Sequence, residues 1–181
     1  MLEAYELYLR QVRVNEDETG RPAGYPFTIP LFQHFQPLTF HKPLTFITGD
    51  NGTGKSTLIE AIAVGMGFNP EGGTRNFQFS TRETHSSLYQ ALTLAKGVRR
   101  CRDGFFFRAE SFYNVASEIE NIAAEDSRML TGYGGVSLHK MSHGESYLTL
   151  LRSRLSGHGF YIFDEPESAL SPTGQFAMLA I

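Results

Sequence analysis

The sequence predicts an α/β fold with a mainly parallel core sheet and an antiparallel β lobe at the N-terminal end. Apolar runs of strand length, such as residues 105–107 and 160–163, alternate with stretches whose apolar residues recur at helical spacing. Strands that alternate with helices are typical of a parallel sheet covered by helices. The lobe is expected because Tyr5, Leu7 and Leu9 alternate with polar residues and two further β-like runs follow before residue 49.

The pattern along the chain assigns each element in turn. Strands are expected at residues 4–14, with an irregularity near the middle, and at 37–40, 44–48, 105–108 and 159–163. Helices are expected from Lys55 to just before Gly67, and at about 82–96, 112–124, 143–155 and after Pro172. Residues 1–181 are therefore interpreted as one domain.

The composition excludes several classes of protein. The chain has 181 residues, of which 41% are apolar and 19% charged, and a formal net charge of −3. This balance is typical of a soluble globular chain and does not by itself indicate a nucleic-acid or membrane partner. Cys101 is the single cysteine, so a disulfide framework is excluded. Because there is no membrane-length apolar run and no signal peptide, we expect a cytoplasmic location and no membrane insertion.

A glycine-rich segment between an expected strand and an expected helix carries the strongest motif. Residues 49–56 read GDNGTGKS, which satisfies the pattern G-x-x-x-x-G-K-[ST] in full. Glycines let the backbone N–H groups point at phosphate oxygens, Lys55 would bridge the terminal phosphates, and Ser56 would bind Mg²⁺. The alternative is a glycine-rich turn with an exposed lysine. The predicted ATP site consists of Asn51, Gly52, Thr53, Gly54, Lys55, Ser56 and Thr57.

A second acidic motif follows an apolar run near the end of the chain. Residues 160–165 read FYIFDE, so a buried strand would end in Asp164 and Glu165. The carboxylate of Asp164 would bind the Mg²⁺ that Ser56 also binds, and Glu165 would be the general base for the attacking water. The alternative is an ordinary buried strand that ends in acidic turn residues.

Between these motifs, residues 141–146 read MSHGES and precede an expected helix. The three motifs together resemble those of the ATP-binding-cassette superfamily, whose signature is close to L-S-G-G-Q. Ser142, Gly144 and Glu145 match this signature, while His143 replaces its first glycine. The resemblance implies a P-loop nucleoside-triphosphatase fold in which a helical insertion carries the signature and contacts ATP held by a second subunit, so an ATP-dependent homodimer is expected. The alternative is that S-x-x-E is a capping box, and both readings can hold.

The resemblance extends from about residue 44 to residue 171 and is to stand-alone types, namely SMC-like and RecF-like heads and small predicted bacterial AAA-family ATPases. It implies a glutamine-bearing loop, for which Glu110 and Gln78 are the two candidates. It also implies a strand with a switch histidine beyond the acidic strand, and no histidine follows Glu165. The domain is therefore expected to be truncated at its C-terminal end, retaining ATP binding but lacking part of the catalytic apparatus.

Two further features of the sequence bear on binding. Basic residues outnumber acidic ones between Thr74 and Arg108, which indicates either a solvated face or a nucleic-acid surface. These basic residues are Arg75, Arg82, Lys96, Arg99, Arg100, Arg102 and Arg108. Tyr25 and Phe27 are candidates for stacking on the adenine ring.

The motifs favour an ATP hydrolase that cycles between an ATP-bound dimer and open monomers. One alternative is a nucleotide-dependent clamp or switch with negligible turnover, and another is the ATPase subunit of a transporter. A small-molecule kinase is disfavoured by the SHGES segment.

Overall fold

The computed structural model describes residues 7–15, 24–77, 86–155 and 157–181. These residues fall into two compact units. The first takes the described residues within Met1–Pro70 and Thr84–Cys101, and the second takes those within Glu71–Glu83 and Arg102–Ile181. The fold class is mixed α/β, with an antiparallel sheet in the first unit and a small parallel sheet in the second.

The first unit contains a three-stranded antiparallel sheet. Its strands are β1 (Leu9–Val14), β2 (Leu38–Thr39) and β3 (Leu92–Lys96), with β1 in the middle. Val12 lies opposite Leu38 on one neighbour and Leu94 on the other, and its side chain is fully buried. The register of β1 against β3 shifts between Leu9 and Gln11, which confirms the irregularity expected in this strand.

Two helices belong to the same unit, α1 (Pro30–Gln33) and α2 (Lys55–Gly65). The C-terminal end of α2 packs on β3, because a Cβ added at Gly65 would lie 2.6 Å from Cδ1 of Leu94. The Lys96 ammonium group donates a hydrogen bond to the Gly65 carbonyl at 3.0 Å, so a cation from β3 caps the carbonyl end of α2. These contacts fix the helix that begins at the glycine-rich loop.

The prediction of a helix at about residues 82–96 is wrong. A 3₁₀-helix occupies Ser87–Ala91, and the following residues form β3 instead. Leu92 and Leu94 alternate with polar or small residues, and the antiparallel hydrogen bonds to β1 decide the conformation of this segment. Residues 78–85 lie outside the described part of the chain.

The prediction of a strand at residues 44–48 is also wrong, because this segment has no regular secondary structure. A strand is stable only when a neighbouring strand satisfies its N–H and C=O groups, and no described residue pairs with this segment. Leu44 and Phe46 are 69% and 79% exposed, so these two apolar side chains are also unburied.

The second unit is built on two parallel strands, β4 (Gly104–Arg108) and β5 (Phe160–Asp164). Three helices accompany them, α3 (Phe112–Glu125), α4 (His143–Arg154) and α5 (Pro172–Leu179), and short 3₁₀-helices occupy Ser127–Tyr133, Leu138–Lys140 and Pro166–Ala169. The elements expected at 105–108, 112–124, 143–155, 159–163 and after Pro172 are thereby confirmed. No helix within the described ranges is long and apolar enough to cross a membrane.

An aromatic core holds the parallel pair against the helices of this unit. The rings of Phe107 and Phe163 stack across the two strands with centroids 4.9 Å apart. Tyr147 of α4 is completely buried and meets the edges of Phe107 and Phe112. The strands are therefore fixed to α3 and α4 at the end where β5 reaches Asp164.

The glycine pair before this core has a structural role. Gly73 exchanges both backbone hydrogen bonds with Phe106, each at 2.9 Å. A Cβ added at Gly72 would lie 2.9 Å from the Phe106 carbonyl oxygen, and φ at Gly72 is +105°. Only glycine allows the backbone to approach β4 so closely in this conformation.

Candidate functional site

The glycine-rich loop turns into α2 at Gly54. This residue is the N-cap of α2 with φ of +100°, and a Cβ there would lie 3.0 Å from Ile29 and 3.1 Å from Phe32. No side chain in the described part of the chain caps this helix end by a hydrogen bond. The first N–H groups of α2 are consequently oriented as they are in phosphate-binding helix ends.

The loop closes around the carbonyl group of Asp50. The Lys55 ammonium group donates a hydrogen bond to this oxygen at 2.8 Å, and the Thr53 hydroxyl group donates to it at the same distance. Asn51 and Gly52 are exposed, whereas Ser56 and Thr57 lie half-buried in the first turn of α2. A cation, a hydroxyl group and a helix end are therefore gathered in one exposed loop, which is the donor set that a polyphosphate requires.

In the second unit, Asp164 ends β5 and is buried. One of its carboxylate oxygens lies 3.6 Å from Nε of Arg108, which is its register partner on β4. The two side chains form an ion pair in which each is largely shielded from solvent. A buried carboxylate oxygen and a serine hydroxyl oxygen are both ligands of the type that Mg²⁺ takes, so the chemistry of Asp164 and of Ser56 fits a magnesium ion.

Glu165 occupies an unusual backbone conformation. Its φ and ψ are +48° and +49°, and no other non-glycine residue within the described ranges has a positive φ. Its carbonyl oxygen accepts hydrogen bonds from both the backbone N–H and the hydroxyl group of Ser168. The left-handed region is unfavourable for a residue with a Cβ, and such residues cluster at functional sites.

The SHGES segment begins α4 with a complete capping box. The Ser142 hydroxyl group donates to the Glu145 carboxylate at 2.6 Å, the Ser142 N–H donates to the same oxygen at 3.0 Å, and the Glu145 N–H donates back to the hydroxyl oxygen at 3.4 Å. These hydrogen bonds from Ser142 hold the pKa of the Glu145 carboxyl below its usual range. The capping-box interpretation is confirmed, and the two side chains engage each other.

Gly144 lies in the same first turn and differs from the glycines that the fold requires. A Cβ added there would meet its nearest neighbour, the Ala169 carbonyl oxygen, at 3.6 Å, which is ordinary van der Waals contact. Packing within the second unit therefore does not explain a glycine at this position.

The weaker candidates have separate environments. Glu110 follows β4 and is 84% exposed, with its carboxylate 3.4 Å from Nη2 of Arg108. Gln78 lies outside the described residues. Tyr25 is 65% exposed and Phe27 is half-buried. Among the basic residues, Arg99, Arg100 and Arg102 are exposed on the loop that follows β3, whereas Arg108 is engaged beside Asp164.

Two residues linked to Asp164 carry no signal in the sequence. Arg108 is distinguished there only as one of the basic residues between Thr74 and Arg108, and no motif includes Tyr147. Burial, together with the charges of Glu167 and Asp164, raises the pKa of the Tyr147 hydroxyl group. The strand register that brings Arg108 beside Asp164 is a tertiary feature that no local pattern indicates.

Comparison with known families gives one match. A family model described as an AAA domain matches residues 29–127, which is more than half of the chain. The matched segment contains the glycine-rich loop and ends before the SHGES segment and before β5. No curated protein and no solved structure matches the chain.

The capping box predicts a pH-dependent contribution to stability. Ser142→Ala removes the N-cap hydroxyl group and should lower the free energy of unfolding by about 1 kcal/mol at neutral pH. Because the pKa of Glu145 is lowered in the folded state, its contribution is present above the usual glutamate range and is lost as the pH falls through the lowered pKa. The difference in the free energy of unfolding between wild type and Ser142→Ala, measured by urea denaturation, should therefore become smaller in acid.

Ser171→Ala is the matched control for this measurement. Ser171 is the N-cap of α5 and accepts a hydrogen bond from the Gly174 N–H at 3.2 Å, but the first turn of α5 has no acidic residue. Ser171→Ala should lower the free energy of unfolding by a similar amount at neutral pH, and this loss should not become smaller in acid. An equal narrowing for both variants would contradict the assignment to Glu145.

Proposed function

The chain belongs to the AAA domain family, and we propose that it binds ATP with Mg²⁺ and hydrolyses it. The observation that carries this proposal is the loop at Gly54, where the Lys55 ammonium group, the Thr53 hydroxyl group and the uncapped end of α2 stand together. Family membership supports nucleotide binding and ATPase activity in general. The cassette type, the dimer and the individual residue roles are part of the proposal.

In the proposed complex, the first turn of α2 and the loop amides bind the phosphates. Lys55 exchanges the Asp50 carbonyl group for phosphate oxygens, a stronger interaction because both partners are then charged. Ser56 and Asp164 would hold Mg²⁺, which supplies charge stabilisation at the transferred phosphoryl group when bound. The support for this pairing is the order of the two motifs and their oxygen chemistry.

Glu165 is proposed as the general base that takes a proton from the attacking water. It directly follows Asp164, and its left-handed backbone conformation is supported by the hydrogen bonds from Ser168 to its carbonyl oxygen. Its side chain is exposed, so water has access to it.

Association of two chains through the start of α4 is proposed as the consequence of ATP binding. Ser142 and Glu145 already satisfy each other, so their capping box would open or share its hydrogen bonds with a phosphate from the second subunit. Packing within the second unit does not require glycine at position 144. A glycine there supports the proposal that the second subunit approaches the backbone closely at this point.

The catalytic roles are tested by measuring ATP binding and phosphate release for wild type, Lys55→Ala and Glu165→Gln. Lys55→Ala should weaken ATP binding at least tenfold, because it removes a charge-assisted contact worth roughly 1.5–3 kcal/mol. Glu165→Gln should bind ATP normally and lose about a hundredfold or more in turnover. Glu167→Gln, an exposed carboxylate in the next turn, is the control and should retain wild-type turnover.

Two results would contradict the hydrolase proposal. If Glu165→Gln and Glu167→Gln turn over equally, then Glu165 is not the base. If the wild type binds ATP and associates but releases no phosphate, the protein acts as a nucleotide-dependent clamp instead.

The association is tested with Gly144→Ala placed in the Glu165→Gln background. Alanine should be accepted by the fold, because its Cβ has ordinary contacts and because alanine favours a helix over glycine by about 1 kcal/mol. Light scattering should show that Glu165→Gln alone becomes a dimer with ATP and that the double variant remains a monomer. Equal dimerisation of the two proteins would remove the role proposed for the start of α4.

A further inference from the structure

The end of the parallel strand pair contains an arginine that the proposed catalytic roles do not use. Arg108 ends β4 and Asp164 ends β5, and the parallel register places the two residues directly beside each other. Nε of Arg108 lies 3.6 Å from Oδ2 of Asp164. This distance makes an ion pair rather than a well-formed hydrogen bond.

Solvent does little to screen this pair. The side chains of Arg108 and Asp164 are 18% and 7% exposed. An arginine does not lose its proton in a protein, so its charge acts on the carboxylate at every accessible pH. Any second cation that binds Asp164 must therefore compete with a permanent positive charge a few ångströms away.

The same guanidinium group has an alternative acceptor. Its Nη2 lies 3.4 Å from Oε2 of Glu110, whose side chain is 84% exposed. Arg108 is therefore shared between a buried carboxylate and a solvated one, and neither contact is short. Because a guanidinium group has several N–H donors, a small change of side-chain torsion can shift its contact from the Asp164 carboxylate to the Glu110 carboxylate.

We propose that Arg108 is the resident counter-ion of Asp164, that Mg²⁺ displaces it, and that Glu110 receives it. This inference rests on the proposed ATP site. It gives Arg108 a positioning role, because Arg108 orients the Asp164 carboxylate in the metal-free protein. The proposal also makes Arg108 the residue that sets the Mg²⁺ concentration at which the site is half-saturated.

Tyr147 supplies a neutral donor in the same region. Its hydroxyl group is buried and has no hydrogen-bond partner within the described part of the chain. An unpartnered buried hydroxyl group is costly, and the carboxylates whose charges act on it are those of Glu167 and Asp164.

The test compares Arg108→Gln with Arg108→Lys and with a matched control, Arg154→Gln. Arg154 is also 18% exposed and pairs with an aspartate, Asp103, just before the opposite end of β4. The binding of a non-hydrolysable ATP analogue is measured as a function of Mg²⁺ concentration. Arg108→Gln should lower the half-saturating Mg²⁺ concentration roughly tenfold, because it removes the competing charge. Arg108→Lys and Arg154→Gln should stay close to wild type.

A second readout needs no nucleotide. Both glutamine variants should unfold at lower urea concentration in EDTA, because each removes the cation of a largely buried ion pair. Mg²⁺ alone should restore stability to Arg108→Gln and not to Arg154→Gln.

The outcomes separate this inference from the proposed function. An unchanged or higher Mg²⁺ requirement in Arg108→Gln, or equal restoration of both variants by Mg²⁺, overturns the role of Arg108 and leaves the ATP site standing. Failure of the wild type to bind any nucleotide overturns the proposed function and the inference with it.

Discussion

The parallel hydrogen bonds between β4 and β5 determine the chemistry of the second unit. They set the register that puts Arg108 beside Asp164, and the stacked rings of Phe107 and Phe163 keep the two strands together one residue earlier. A slip of one residue would exchange the faces of every side chain in the pair. It would separate the buried carboxylate of Asp164 from the guanidinium group of Arg108, and breaking a buried ion pair is strongly destabilising.

The first unit holds the glycine-rich loop, for which we propose phosphate binding. The positive φ of Gly54 and the close approach of Phe32 determine where α2 begins. At its other end, α2 is fixed by Leu94 and by the Lys96 ammonium group. The helix is thus anchored at its carbonyl end, while residues 49–52 of the loop that leads to its N–H end remain exposed, which leaves room for a polyanion.

Local patterns predicted most of the elements and the candidate site, but not what depends on pairing. Short stretches of sequence are enough to predict features that depend on neighbours along the chain. These features are the loop before Lys55, the capping box at Ser142 and the strand that ends in Asp164. Residues 92–96 look equally suited to a helix, and only hydrogen bonds to a strand some 80 residues earlier make them β3. The position of Arg108 likewise depends on a strand far away in sequence.

The central proposal, which rests on the order of the two motifs along the chain, is that the glycine-rich loop and the acidic end of β5 serve one Mg²⁺–ATP complex. Hydrogen–deuterium exchange of the whole chain, with and without Mg²⁺ and a non-hydrolysable ATP analogue, tests it most directly. The account predicts that the ligand slows exchange in peptides covering residues 49–57 and 160–165 together, and in neither when Lys55 is alanine. Slowing in only one of these segments, or in neither, would contradict it.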